Sequence, residues 1–171
     1  DGNAKNGIKG AADAVITVAE VKLNINAAND GLSCDDELNI TGGTLSITAG
    51  GDAVKASPDT GDTGNPDTTS LGNVTISGGT LTLATGDDGV HADNDLVIGT
   101  KGASSTSTPR INITASYEGL EGTTVTVYSG DIDVVASDDG VNAANSTLGE
   151  RSDKYAINIA GGDLYIDAGS D

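Results

Sequence analysis

Short runs in which every second residue is aliphatic recur along the chain: Leu38-Asn39-Ile40, Leu45-Ser46-Ile47, Val74-Thr75-Ile76, Leu81-Thr82-Leu83, Ile157-Asn158-Ile159 and Leu164-Tyr165-Ile166. A period of two puts the aliphatics on one face of a β-strand and the Asn, Thr and Ser on the other. Successive runs are joined by Gly42-Gly43, Gly78-Gly79 and Gly161-Gly162, so each unit is expected to hold two strands linked by a small-residue turn.

A second pattern paces the first. The signature acid/amide–Gly/Ala–aliphatic–x–small starts at Asn6, Asp30, Asp52, Asp88, Glu118 and Asp139, and a further copy begins at Asp171. The intervals are 24, 22, 36, 30, 21 and 32 residues, a basal unit of about 22 with three insertions. These fall at Pro58–Ser70, Gly99–Pro109 and Asn145–Lys154 and are rich in Pro, Gly, Ser, Thr and Asp, the composition of surface loops. Superposing the units gives five aliphatic columns. One runs Ile16, Leu38, Val74, Leu96, Val125, Ile157, and its neighbour Val18, Ile40, Ile76, Ile98, Val127, Ile159. Past the turn come Leu23, Leu45, Leu81, Ile111, Ile132, Leu164 and then Ile25, Ile47, Leu83, Ile113, Val134, Ile166. The signature supplies Ile8, Leu32, Val54, Val90, Leu120, Val141. A globular sandwich has no reason to hold aliphatics in such register, whereas stacked coils must. The expected fold is all-β: a right-handed, single-stranded parallel β-helix of about six coils, one domain over residues 1–171 that stops within a coil.

Composition agrees. The chain has 25 Gly, four Tyr and no Phe, Trp or Met, so the core is aliphatic and thin. The acids comprise 21 Asp and five Glu, a bias toward turn and oxygen-ligand chemistry over helix. A net charge of −18 opposes phosphate backbones and anionic membranes and excludes nucleic acid as a partner; no run is long enough for membrane insertion. Cys34 shares a column with Gly10, Ala56, Ala92, Gly122 and Ala143 and is expected to be a buried small hydrophobe. Glycine in the second signature position fits a positive φ at a tight corner.

The first signature position stacks acid on acid. At the coil spacing of about 4.8 Å two carboxylates repel by about 0.9 kcal/mol in bulk water and about 3.5 at an effective dielectric near 20. Asp87 and Asp138 double the charge, while Asp35 and Glu37 follow Asp30 by the same five and seven residues that separate Asp93 and Asp95 from Asp88. Calcium takes six to eight oxygens, and two or more Ca²⁺ ions are expected at this corner, held by Asp30, Asp35, Asp87, Asp88, Asp93, Asp95, Glu118 and Asp139. The fourth signature position, Lys9, Ser33, Lys55, His91, Glu121 and Asn142, is expected to point outward. No nucleophile stands near His91 in a known motif, and no catalytic residue is assigned; Lys9 and Lys55 beside the acids keep a lyase open as a lesser reading. The outward rows Thr17, Asn39, Thr75, Val97, Thr126, Asn158 and Asn24, Ser46, Thr82, Asn112, Asp133, Tyr165 offer repeated hydrogen bonds to a repeating ligand.

The tracts Gly86-Asp87-Asp88-Gly89-Val90-His91-Ala92-Asp93, Ser116-Tyr117-Glu118-Gly119-Leu120-Glu121-Gly122 and Ser137-Asp138-Asp139-Gly140-Val141-Asn142-Ala143-Ala144, with Gly-Gly turns between them, resemble the bacterial carbohydrate-binding parallel β-helix family related to calcium-dependent polysaccharide lyases. The resemblance runs from Ala4 to Asp171. It implies an extracellular or cell-surface protein that binds calcium and a polysaccharide, cellulose or acidic sugars such as polygalacturonate, without established lyase activity. A structural alternative comes from the strand edges at the two ends of such a stack, which invite head-to-tail self-association into a calcium-stabilised filament.

Overall fold

The computed structural model describes residues 5–11, 13–58, 72–103, 108–145 and 155–169. The seventh signature copy at Asp171 and most of the first and third insertions lie outside them, as do 104–107 of the second. In chain order the strands are β1 (Ile8–Lys9), β2 (Val15–Val18), β3 (Lys22–Ala27), β4 (Leu32–Cys34), β5 (Glu37–Ala49), β6 (Val54–Ala56) and β7 (Asn73–Thr85). They continue with β8 (Val90–Ile98), β9 (Arg110–Ala115), β10 (Leu120–Val127), β11 (Asp131–Ala136), β12 (Val141–Ala143), β13 (Ala156–Ile159) and β14 (Asp163–Ala168). No helix occurs among the described residues.

Every strand pairing is parallel, and the pairings fall into three ladders. In the first, the signature residues Ile8, Leu32, Val54, Val90, Leu120 and Val141 pair in succession. The second joins Ile16, Leu38, Val74, Leu96, Val125 and Ile157. The third joins Leu23, Leu45, Leu81, Ile111, Ile132 and Leu164. The aliphatic columns are thus rows of register partners, because period-2 alternation forbids a one-residue slip without turning every apolar group into water. Leu32, Leu38 and Leu45, one from each ladder, belong to a single buried cluster with Cys34. Burial pushes the Cys34 thiol up to about 11, as a structural cysteine requires.

Two local expectations change. The Gly-Gly turn does not divide β5 or β7; each is one continuous strand of 13 residues, bent where Gly43 and Gly79 take φ of 93° and 91°. The signature glycines have no positive φ. Their constraint is steric: a Cβ on Gly89 would lie 2.5 Å from Ile113 Cδ1 and 2.6 Å from the Gly119 carbonyl oxygen. Gly7, Gly31, Gly119 and Gly140 are crowded in the same way by Ile25, Ile47, Val134 and Ile166. Glycine is required there because the column of Ile25, Ile47, Ile113, Val134 and Ile166 packs against the bare backbone of the signature.

Candidate functional site

The acids of the first signature position sit at the entry to β4, β6, β8 and β10, and Asp30, Asp52, Asp88 and Glu118 are all buried. Burial of stacked carboxylates is costly unless their oxygens are satisfied, and a ladder of backbone donors does part of this. The Asp52 N–H donates to Asp30 Oδ1 at 3.2 Å, and the Asp88 N–H to Asp52 Oδ1 at 2.9 Å. At the top of the column Asn6 Oδ1 accepts the Asp30 N–H at 3.3 Å. The Asp30 and Asp52 carboxylates therefore each hold the next repeat in register, so acid beside acid has a role in pairing the repeats as well as a charge problem.

The fourth signature position supplies side-chain partners. Lys55 Nζ donates to Asp52 Oδ2 at 2.6 Å, His91 Nδ1 lies 3.0 Å from Asp88 Oδ2, and Asn142 Nδ2 donates to Glu118 Oε1 at 2.9 Å. These side chains do not stand out in solvent as the alternation implied. His91 is only 15% exposed, walled in by Asp88 on one side and by Asp93, whose Oδ1 lies 2.8 Å from Nε2, on the other. Burial opposes the imidazolium, but the hydrogen bonds to Asp88 and Asp93 outweigh it and push His91 up to about 10. For Lys55, burial is likewise outweighed by the charge and hydrogen bond of Asp52, and its ammonium is held above the ordinary lysine value.

One coil breaks the pairing rule. Glu121, the register partner of His91 and of Asn142, faces Glu118 with an acid where those two positions carry a side chain able to donate. Burial and the hydrogen bond with Glu118 push Glu121 up to about 9. With Glu121 ionised, the buried Glu118 Oε2 has no hydrogen-bond donor.

Of the residues anticipated as calcium ligands, Asp87 and Asp88 come together, joined by Asp52: one oxygen from each lies within 4.8 Å of the others. Burial and the charges of Asp52 and Asp88 raise the Asp87 carboxyl above the usual range. Asp30 is one coil from Asp52, and Asp35 lies with Asp30 in a cleft of about 290 Å³ lined also by Lys9, Ser33, Lys55 and Ser57. Asp93 serves His91 and accepts from the Ser57 hydroxyl at 3.1 Å. Glu118 joins Asn142 and Glu121 as above. Asp95 is exposed and takes the hydroxyl of Thr124, and Asp139 is exposed, its carbonyl accepting the Gly119 N–H at 2.9 Å. Asp52, His91 and Glu121 were missed as candidate ligands. Their signal was available in the fixed three-residue step between first and fourth signature positions, where only Glu121 opposes an acid with an acid.

The outward face of the third ladder is the second feature. Asn24, Ser46, Thr82, Asn112, Asp133 and Tyr165 pair in one row, and all six are exposed, Tyr165 to 64%. Beside them Arg110 bridges to Asp131 at 2.7 Å. The corresponding row of the second ladder is half-buried from Asn39 to Thr126, which leaves the third ladder as the broader polar platform.

A family model described as "Carbohydrate-binding domain-containing protein" matches residues 1–171. No curated protein and no solved structure matches the chain.

Proposed function

The chain belongs to the carbohydrate-binding domain-containing protein family, and from that membership we propose that it is a calcium-stabilised, non-catalytic module that binds polysaccharide on the third ladder. The observation that carries the reading is the exposed row Asn24, Ser46, Thr82, Asn112, Asp133 and Tyr165. It offers hydrogen-bonding groups at each rung, about 4.8 Å apart, with an aromatic ring at one end able to lie against a sugar face. A repeating ligand matches a repeating platform, and cellulose or an acidic chain such as polygalacturonate is the ligand class to test. Secretion or attachment at the cell surface goes with this reading, since such polymers lie outside the cell.

The three ladders are read here as the sides of one right-handed parallel β-helix. The shared apolar cluster supports closure, and the strong bias of parallel crossover connections supports the hand. Calcium fits the acid corner: Asp52, Asp87 and Asp88 form an all-oxygen set, Asp87 is open to water, and a divalent cation would relieve the repulsion that raises Asp87. Asp30, with Asp52 above it in the ladder, would extend the set. Calcium would there supply charge neutralisation and rigidity, and the chain's own residues would do the sugar binding.

The test is retention on cellulose and on polygalacturonate, with calcium and with chelator, for the parent and for Tyr165→Ala and Asn112→Asp. Retention of the parent and its loss in the variants is expected; passage of the parent through both matrices with calcium present would end the reading. A second reading is head-to-tail association into a filament, by strand addition at an open sheet edge. Sedimentation showing only monomers at high protein and calcium concentration would exclude it.

A further inference from the structure

We propose that Asp88, His91 and Glu121, with Glu118 beside them, form a binding site for a first-row divalent transition metal of the zinc type. The site goes beyond polysaccharide binding and does not depend on it. Its geometry is a product of the repeat. Asp88 and His91 occupy the first and fourth signature positions of one coil, and Glu118 and Glu121 the same positions of the next. Parallel register places His91 against Glu121, so the step between repeats brings two three-residue spacings side by side, with Glu118 next to Glu121. Asp88, His91 and Glu121 each offer a donor atom within 4.8 Å of the others, and His91 Nδ1 lies 3.8 Å from Glu121 Oε1.

Two observations point to a cation at this place. Lys55 donates to Asp52 within its own repeat, and Asn142 to Glu118 of the preceding repeat; Glu121 stands three residues from the acid Glu118 and, when ionised, has no proton to donate to it. Independently, Glu118 is 8% exposed and its Oε2 has no partner, although buried oxygens are almost always satisfied. A bound cation answers both.

The donor set fixes the class of cation. An imidazole nitrogen with carboxylate oxygens suits zinc and its neighbours, whereas calcium takes oxygen alone. The His91 ring is already oriented for it. Nε2 lies 2.8 Å from Asp93 Oδ1 and Nδ1 3.0 Å from Asp88 Oδ2; a metal on Nδ1 would take the place of its proton while Nε2–H stays on Asp93, the carboxylate–histidine–metal arrangement of a ligand histidine. His91 and Glu121 retain 15% and 13% exposure, so the group reaches solvent at its rim.

His91 is the single histidine of the chain, so its ring nitrogens report without ambiguity. Chelator-stripped ¹⁵N-labelled protein is titrated with Zn²⁺ in the presence of excess Ca²⁺, followed by imidazole ¹H–¹⁵N spectra and calorimetry. The expected result is one calcium-resistant equivalent, with the Nδ1 resonance moving to a metal-bound position while the Nε2 proton is retained. His91→Gln and Glu121→Gln should each weaken zinc by more than about tenfold, and Asp93→Asn by about 10–100-fold. Zinc that leaves the His91 resonances unmoved, or that excess calcium displaces, overturns the site. So does affinity unchanged in folded Glu121→Gln; should the variants fail to fold, the parent's His91 spectra decide alone. Calcium elsewhere in the corner is read separately, from its own effect on melting.

Discussion

Replacing Glu121 with Gln in metal-free protein should stabilise the fold. In the parent, burial and Glu118 raise the Glu121 carboxyl from 4.5 to about 9, so between those values the native state holds a proton that the unfolded chain has released. Stability must then fall as pH rises through that window, because the unfolded state binds fewer protons. At pH 7 the full shift would cost about 3 kcal/mol, at about 1.4 kcal/mol for each pH unit above 4.5. Water at the rim of the site screens part of this, and roughly 1–2 kcal/mol is expected. The amide removes the cost and gives Glu118 Oε2 an N–H donor, as Asn142 already does for Oε1. Urea unfolding in chelator at pH 5, 7 and 9 measures it. The variant should match the parent near pH 5 and exceed it increasingly toward pH 9, with a melting temperature higher by about 2–4 °C per kcal/mol. A destabilised variant, or a gain independent of pH, would refute the acid-against-acid reading of this coil.

Other perturbations probe other links. Gly89→Ala should cost about 1–3 kcal/mol by overpacking, since its Cβ would press on Ile113 and the Gly119 carbonyl, whereas Gly42→Ala, whose Cβ would have its nearest neighbour at 3.7 Å, should shift stability by less than about 0.5 kcal/mol; equal effects in chemical denaturation would show that the glycine column is not steric. Leu81→Ala, in a fully buried position, should cost about 2–5 kcal/mol, and a loss below that range would mean that the ladders do not share one tight core. Cys34, buried with its thiol pushed up to about 11, should resist a thiol-specific colorimetric reagent at pH 8 until urea unfolds the chain; prompt labelling of native protein would contradict its placement.

The ladders were readable in the chain because parallel stacking copies a sequence period directly into space: Ile16, Leu38, Val74, Leu96, Val125 and Ile157 are equivalent in sequence and partners in the structure. What the period could not reveal is which way a residue faces at a corner. Strand alternation put His91 outward, but Asp88 and Asp93 flank the ring and bury it. Glycine has two uses, positive φ and absence of Cβ, and both leave the same letter; Gly43 has the first and Gly89 the second. The acid column was visible, yet its backbone-capping role depends on carboxylates reaching N–H groups of the next repeat, as Asp52 does for Asp88, a relation between residues 36 positions apart. Glu121 was in plain view in its column and gained meaning only when Glu118 proved to be its neighbour.

The most direct test of the acid corner is thermal unfolding of chelator-dialysed protein with and without calcium. A ligand at about 100 times its dissociation constant adds about 2.7 kcal/mol, and at about 2–4 °C per kcal/mol for a chain of this size the melting temperature should rise by roughly 5–10 °C and fall back on adding chelator. An unchanged melting temperature would mean that the buried carboxylates are satisfied by backbone donors, Lys55, His91 and Asn142 without calcium, and would contradict the calcium-stabilised account.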